Sequence, residues 1–271
     1  MTQEEWLAQH PYLRSVADFH AQVATALARI PNGGARISGW DDFIGDYRAG
    51  IPLLRSSRVA IDLEPAGAIL VSLIENLASM PLPEKLAAEC RVLRAQLGGE
   101  VNAPRRAIAW LFEDEVLKPA HPGLIRYLGW TVLAGCLHPI VDAFSGWREE
   151  ERWLCGYCPI CGSPPAMAQL VGFDSGRLRL LSCGCCRTRW RYLRIGCPFC
   201  ESADDHRLSA LAIEGEKYLR IDYCQSCRAY LKTYNGEGSE SLFLADWTSL
   251  HIDVIARDRG LKRLANSLYD L

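Results

Sequence analysis

Between Cys158 and Cys227 the chain carries four Cys-x-x-Cys pairs, arranged as two copies of one unit. The first copy runs from Cys158-Pro159-Ile160-Cys161 to Cys183-Gly184-Cys185-Cys186, and the second from Cys197-Pro198-Phe199-Cys200 to Cys224-Gln225-Ser226-Cys227. Within the copies, 21 and 23 residues separate the two pairs. Two thiolates three positions apart can grip one edge of a tetrahedron of soft ligands if the chain turns sharply between them. Pro159 and Pro198 favour that turn, and the remaining knuckle amides can point at sulfur and stabilise its charge. The spacing therefore predicts two tetrathiolate metal sites, one on Cys158, Cys161, Cys183 and Cys186, the other on Cys197, Cys200, Cys224 and Cys227. Each is expected to close within its own copy, because a short hairpin brings its two knuckles together. Gly162 follows the first knuckle while Glu201 holds the matching place in the second copy, so the sites are expected to be similar, not identical.

Other readings of these cysteines stay open. A single such pair can be a redox dithiol, but that pair normally stands alone beside a helix N-terminus, and here strand-like residues follow each one. Cys155-Gly156-Tyr157-Cys158 repeats the spacing and Cys185 sits inside the second pair, so either can replace a ligand or remain a free thiol. Cys90 and Cys136 fall on apolar helix faces and read as core residues.

At 271 residues the chain can bury a substantial core and is expected to form two domains. The N-terminus has neither the basic nor the apolar segment of an export signal, and no stretch offers about 18 uninterrupted apolar residues. A cytoplasmic location follows as an expectation, and in a reducing compartment paired cysteines are metal ligands more often than disulfides.

Residues 1–150 show apolar recurrence at three- and four-residue spacing and predict a helical domain, with helices over 12–30, 41–47, 64–79, 84–97, 104–114 and 124–144. Pro31, Asn32, Gly33 and Gly34, then Gly98 and Gly99, read as stops, and Pro65 and Pro104 suit first helical turns. Residues 151–240 read as a duplicated metal-binding region with units 158–194 and 197–234. Each unit holds a first strand (166–173 and 208–214), a turn (Asp174-Ser175-Gly176 and Gly215-Glu216), a second strand entering the next cysteine pair, and a third strand (187–193 and 228–234). A period of about 40 residues marks an internal duplication of a unit too small to bury much alone. Metal is expected to hold this region together while the helical domain folds by itself. Residues 241–271 read as a C-terminal helical segment, with a helix over 246–259 capped by Asp246. The fold class is thus α+β: a helical N-terminal domain, two tandem rubredoxin-like or zinc-ribbon-like modules of four cysteines each, and a C-terminal helix.

Arg187, Arg189, Arg191 and Arg194 form a basic run beside Trp190 and Tyr192 that could stack on bases and contact phosphates. A net charge of −2 gives no global field for a polyanion, and alternating arginines equally offset a negatively charged tetrathiolate or face a partner protein. Nucleic acid is therefore the weaker reading. His10, His20, His121, His138, His206 and His251 show no spacing that marks a catalytic group, and no phosphate-cradling glycine motif or nucleophile elbow is present.

With the knuckles and their flanks in view, the chain resembles the formate dehydrogenase accessory protein FdhE family. The carrying residues are 158–165, Arg179-Leu180-Leu181-Ser182-Cys183-Gly184-Cys185-Cys186 with Trp190, Arg194-Ile195-Gly196-Cys197-Pro198-Phe199-Cys200, and 223–232; weaker likeness runs through 50–54 and 245–260. The resemblance implies a cytoplasmic, non-catalytic assembly factor with two metal ions, iron or zinc, acting on the catalytic subunit of formate dehydrogenase before export. It also implies family members with a longer N-terminus. Electron transfer or redox sensing by a rubredoxin-like iron site, and nucleic-acid binding by a zinc ribbon, are the alternatives. The client is expected to dock where the helical and metal regions meet, steered by Arg187, Arg189 and Arg191.

Overall fold

The computed structural model describes residues 1–269 apart from 32, 33, 36, 38 and 173–175, with the backbone alone described at 205. The expected stop at Asn32 and Gly33, and the end of the first strand with its turn at Phe173, Asp174 and Ser175, lie outside these residues. The helical region comprises α1 (Gln3–Gln9), α2 (Arg14–Leu27), α3 (Trp40–Arg48), α4 (Glu64–Ala78), α5 (Glu84–Gly98), α6 (Ala103–Leu111) and α7 (Pro122–Trp147). Helix α1 was not expected from periodicity because it is only two turns long. Its signal is chemical: the Thr2 hydroxyl accepts from the Glu5 amide at 3.2 Å while the Glu5 carboxylate accepts from the Thr2 amide at 2.8 Å, a reciprocal cap. Helix α7 is long and apolar enough to cross a membrane by length and composition, yet 61% of its most apolar window is buried inside the protein, as for a core helix.

Among the described residues the strands are β1 (Pro165–Val171), β2 (Leu178–Cys183), β3 (Arg189–Tyr192), β4 (Leu208–Ala212), β5 (Leu219–Cys224) and β6 (Tyr230–Tyr234). They form one sheet in the order β3-β2-β1-β6-β5-β4. Each repeat supplies three antiparallel strands, and the repeats join through parallel pairing of β1 with β6, where Met167, Ala168 and Gln169 lie opposite Lys232, Thr233 and Tyr234. Joining the copies this way covers one long edge of each with the other.

The C-terminal part holds α8 (Glu240–Phe243), a 3-10 turn (Asp246–Ser249) and α9 (Leu250–Asp258). The expected Asp246 cap is a correction: no side-chain cap bond is found at either element, and Asp246 is buried. Its carboxylate instead contacts Lys232 Nζ at 2.6 Å and Arg263 Nη2 at 2.7 Å.

Two apolar clusters hold the layers together. One joins Trp6, Leu7 and Leu13 near the N-terminus to Met167, Ile221, Tyr230 and Tyr234 of the sheet and to Phe243 and Ile252 of α8 and α9. The other runs from helical residues such as Leu70, Leu133 and Phe144 into the first cysteine set and to Leu181, Trp190 and Leu231 on the sheet. Helical and cysteine-bearing residues therefore share one continuous core.

Candidate metal centres

The same backbone turn builds all four knuckles. The amide of each leading cysteine donates to a carbonyl five residues on: Cys158 to Ser163, Cys183 to Thr188, Cys197 to Ser202 and Cys224 to Ala229, at 2.8–2.9 Å. The residue after each second cysteine has positive φ: Gly162 at 78°, Arg187 at 65°, Glu201 at 58° and Arg228 at 61°. Only the first is glycine, so three side chains are held in the left-handed region, at a cost of about 1 kcal/mol or more each. Glu201 thus makes the same turn as Gly162, at greater cost.

These turns bring the eight predicted cysteines into two sets of four, each with all its sulfurs within 4.8 Å of one another. Cys158 and Cys186 sulfurs are 3.4 Å apart, Cys161 and Cys183 3.5 Å, Cys197 and Cys227 3.7 Å, and Cys200 and Cys224 3.8 Å. A disulfide needs about 2.05 Å. A tetrahedron with metal–sulfur bonds of about 2.3 Å has edges of about 3.8 Å, so both sets fit a tetrathiolate ion. Cys155 and Cys185 stand outside both sets; the Cys185 amide donates to Cys183 Sγ at 3.4 Å, and the Cys155 carbonyl accepts from Trp190 Nε1 at 3.0 Å.

The two sets differ in surroundings. All four cysteines of the first set are buried, whereas Cys200 is exposed and Cys227 half-buried in the second. In the first, the Cys161 thiol donates to Ser163 Oγ at 3.4 Å, and Cys186 Sγ and Thr188 Oγ1 share a hydrogen bond at 3.1 Å. Burial pushes the thiols of Cys158, Cys183 and Cys186 up; against burial, hydrogen bonding with its three neighbours and Ser163 holds Cys161 well below the usual thiol range. In the second, burial pushes Cys197 up to about 12, and, against burial, the amides of Cys227 and Ser226 help hold Cys224 at about 7. Metal loading must displace the thiol protons and weakens as pH falls.

The copies also touch each other. Gly156, just before the first knuckle, lies so close to the third that a Cβ there would overlap the Pro198 carbonyl.

The difference in burial predicts an order of metal loss. A chelator should strip the Cys197 set first, whereas the Cys158 set must wait for an opening of the core, slowing release by about tenfold for each 1.4 kcal/mol of opening free energy. Release followed with a coloured chelator should be biphasic, the fast phase vanishing in Cys200→Ser. A single phase would show equal access to both sets.

The basic run does not form one face. Arg187 sits in a turn, Arg189 hydrogen-bonds Gln169, Arg191 pairs with Glu151 at 2.7 Å, and Arg194 is directed elsewhere, beside Cys197 and Arg179 in a trough on the sheet. Arg187 and Arg189 do line a cavity of about 470 Å³ where His20 and Tyr127 of the helical region meet Trp247 and Tyr269 of the C-terminal part.

One polar cluster had no sequence signal. Glu216 Oε1 lies 2.9 Å from His10 Nε2 and 2.6 Å from His251 Nε2, clasping the end of α1, the β4–β5 turn and α9. Burial raises the Glu216 carboxyl, but bonds to His251 and His10 outweigh it and hold the group below its ordinary value. The three residues lie far apart in the chain, so no spacing could have joined them. Ligands on one ion at about 2.0–2.1 Å would stand more than 3 Å apart, so these distances fit hydrogen bonds better than metal.

Comparison with known proteins bears on the same region. The family model described as "FdhE, central domain" matches residues 157–194. A "Protein FdhE homolog" of Pseudomonas aeruginosa is 32% identical over 213 residues, covering 74% of this chain and 67% of the relative. Another, of Aquifex aeolicus, is 31% identical over 133 residues, 47% of either chain, so the match spans about half the length of that relative. The crystal structure of the FdhE protein from Pseudomonas aeruginosa superposes with a TM-score of 0.62 at 25% identity, covering 96% of this chain and 88% of that one.

Proposed function

Because the chain belongs to the FdhE family, we propose that it is a non-catalytic assembly factor for formate dehydrogenase, holding one iron or zinc ion in each sulfur tetrad and engaging the catalytic subunit in the cytoplasm. The observation that carries this reading is the pair of sulfur tetrads of tetrahedral dimensions, set in a fold that superposes on an FdhE protein. The ions would pin the knuckles and so fix the sheet as a rigid surface. The eight cysteines are their ligands in this reading, with residues 1–150, 151–240 and 241–271 as helical, metal-binding and C-terminal parts. Affinity purification under anaerobic conditions should enrich a formate dehydrogenase catalytic subunit. No such enrichment, with formate oxidation unaffected by deleting the gene, would overturn the proposal.

The cavity holding Arg187 is the docking place this reading favours, because it lies where helical, metal and C-terminal parts meet and, with Asp246 paired to Lys232 and Arg263, its two arginines outnumber the remaining carboxylate, Glu240. Arg189 is unsuitable for a test since its side chain supports Gln169. The variant Arg187→Glu should bind client on the order of tenfold more weakly at low salt, with metal content unchanged and the difference fading at high salt. Equal affinity at low salt would place docking elsewhere.

A further inference from the structure

The sheet carries a trough of about 530 Å³ beside the second cysteine set, lined by Arg177, Arg179, Arg194 and Arg220 with Asp222 as the one carboxylate among its described residues. Asp222 is already committed. Its Oδ2 accepts from Thr233 Oγ1 at 2.8 Å, and its Oδ1 lies 2.8 Å from Arg220 Nε. A divalent ion on four thiolates leaves two negative charges on one wall, where Cys197 and Cys224 stand. With Asp222 that makes three against four guanidinium groups, so the trough keeps a positive excess.

Arg179 is the most telling group. It is only 6% exposed, its Nη1 donates to the Gly196 carbonyl at 2.8 Å, and its Nε has no partner. Arg177 Nε is likewise buried without a partner, its Nη1 being held by neutral Asn235. Buried donors in folded proteins are nearly always satisfied, and a charged one left open is costly. Leu170, Leu231 and Phe199 line other parts of the trough, which therefore offers apolar surface beside its cations.

We infer that this trough is a binding site for a small oxyanion, a phosphate monoester or a carboxylate, carried on an apolar body. The guanidinium groups of Arg177, Arg179 and Arg194 grip the oxyanion, since planar forks suit both phosphate and carboxylate, and the apolar lining takes the body. The inference rests on the metal reading only for its charge count. Metal analysis of every sample keeps a failure of that reading distinct from a failure of this one.

The test is calorimetric titration of the metal-loaded full chain at low salt with phenyl phosphate, benzoate and inorganic phosphate. One equivalent of phenyl phosphate or benzoate should bind, the tighter of the two identifying the oxyanion, and inorganic phosphate should bind more weakly for want of an apolar body. Arg179→Met should abolish binding, but it also removes the bond to Gly196 and so tests the fold at the same time. Arg194→Ala, at the exposed rim, leaves the packing intact and should weaken binding about tenfold, the worth of one charge-assisted hydrogen bond. Absence of saturable binding by all three probes would show a water-filled trough, and affinity unchanged in Arg194→Ala would place the bound anion elsewhere; either result overturns the inference.

Discussion

Replacing Cys158 with serine should cost the protein one metal equivalent and much of its tertiary structure, including the helical part. Structural zinc sites contribute about 10–16 kcal/mol to folding of small domains, while a whole domain is stable by about 5–15 kcal/mol. Losing even part of the first site is therefore expected to depopulate the folded state. The damage should spread because this knuckle is stitched to the helical region: the amides of Leu53 and Leu54 donate to the carbonyls of Pro159 and Ile160 at 2.8 and 2.9 Å, and the Tyr157 hydroxyl donates to the Gly50 carbonyl at 2.8 Å. Cys158 and Cys161 also belong to the same apolar cluster as Phe43, Tyr47 and Phe144. The sequence-based expectation that the helices persist without metal assumed a separate helical core, and this shared one argues against it. Cys200→Ser, at the exposed rim of the second set, should lose one equivalent yet keep its helical signal. Metal analysis with far-UV and near-UV circular dichroism separates the cases. Native helicity and near-UV bands in Cys158→Ser would show that the parts fold independently.

What the sequence reveals of this fold follows from the range of each interaction. Membership of the two sulfur sets is legible because a knuckle is a local turn and each hairpin is short, so Cys158 to Cys186 and Cys197 to Cys227 are closed by neighbours in the chain. Helices α4 and α5 are legible for the same reason, their apolar residues recurring at helical spacing within 15 residues each. The parallel β1–β6 seam is not, because pairing Ala168 with Thr233 depends on edges that both copies present. Trough and clasp were hidden likewise: Arg179, Arg220, His10 and Glu216 look like solvated residues until the sheet and terminal helices bring them together. Asp246 misled for a more specific reason. An acidic residue ahead of an amphipathic segment is the usual mark of an N-cap, but its partners, Lys232 and Arg263, lie elsewhere in the chain, and two cations, the first fully buried, outcompete helix amides for a carboxylate.

That buried network should be the second point of failure. Lys232 sits mid-strand on β6 with a side chain fully shielded from water, 2.6 Å from Asp246 Oδ1 and 2.7 Å from Asp253 Oδ2. Arg263 reaches the same two carboxylates at 2.7 and 2.6 Å, and the Tyr230 hydroxyl donates to Asp253 Oδ1 at 2.6 Å. Two cations and two anions balance, so removing one cation leaves an uncompensated buried charge, which costs about 3–5 kcal/mol. Lys232→Met keeps most of the side-chain volume and should still lose about that much at pH 7, seen as a lower urea midpoint with an unchanged slope. The pH dependence has a definite sign. Burial raises the Asp246 carboxyl, but Lys232 and then Arg263 outweigh it and leave the group below its ordinary value of 3.8. A carboxylate depressed by folding contributes fully above its unfolded value and loses that contribution as pH falls through its folded one. The gap between wild type and Lys232→Met should therefore stay constant from pH 8 to about 5 and shrink below about 4, where protonation takes away the charge that Lys232 neutralises. Comparing the two proteins at each pH cancels the acid loss of thiolate-bound metal, which both share. A gap that widened in acid would mean that Lys232 serves the neutral form of Asp246, and the ion network would have to be abandoned as the reason for its burial.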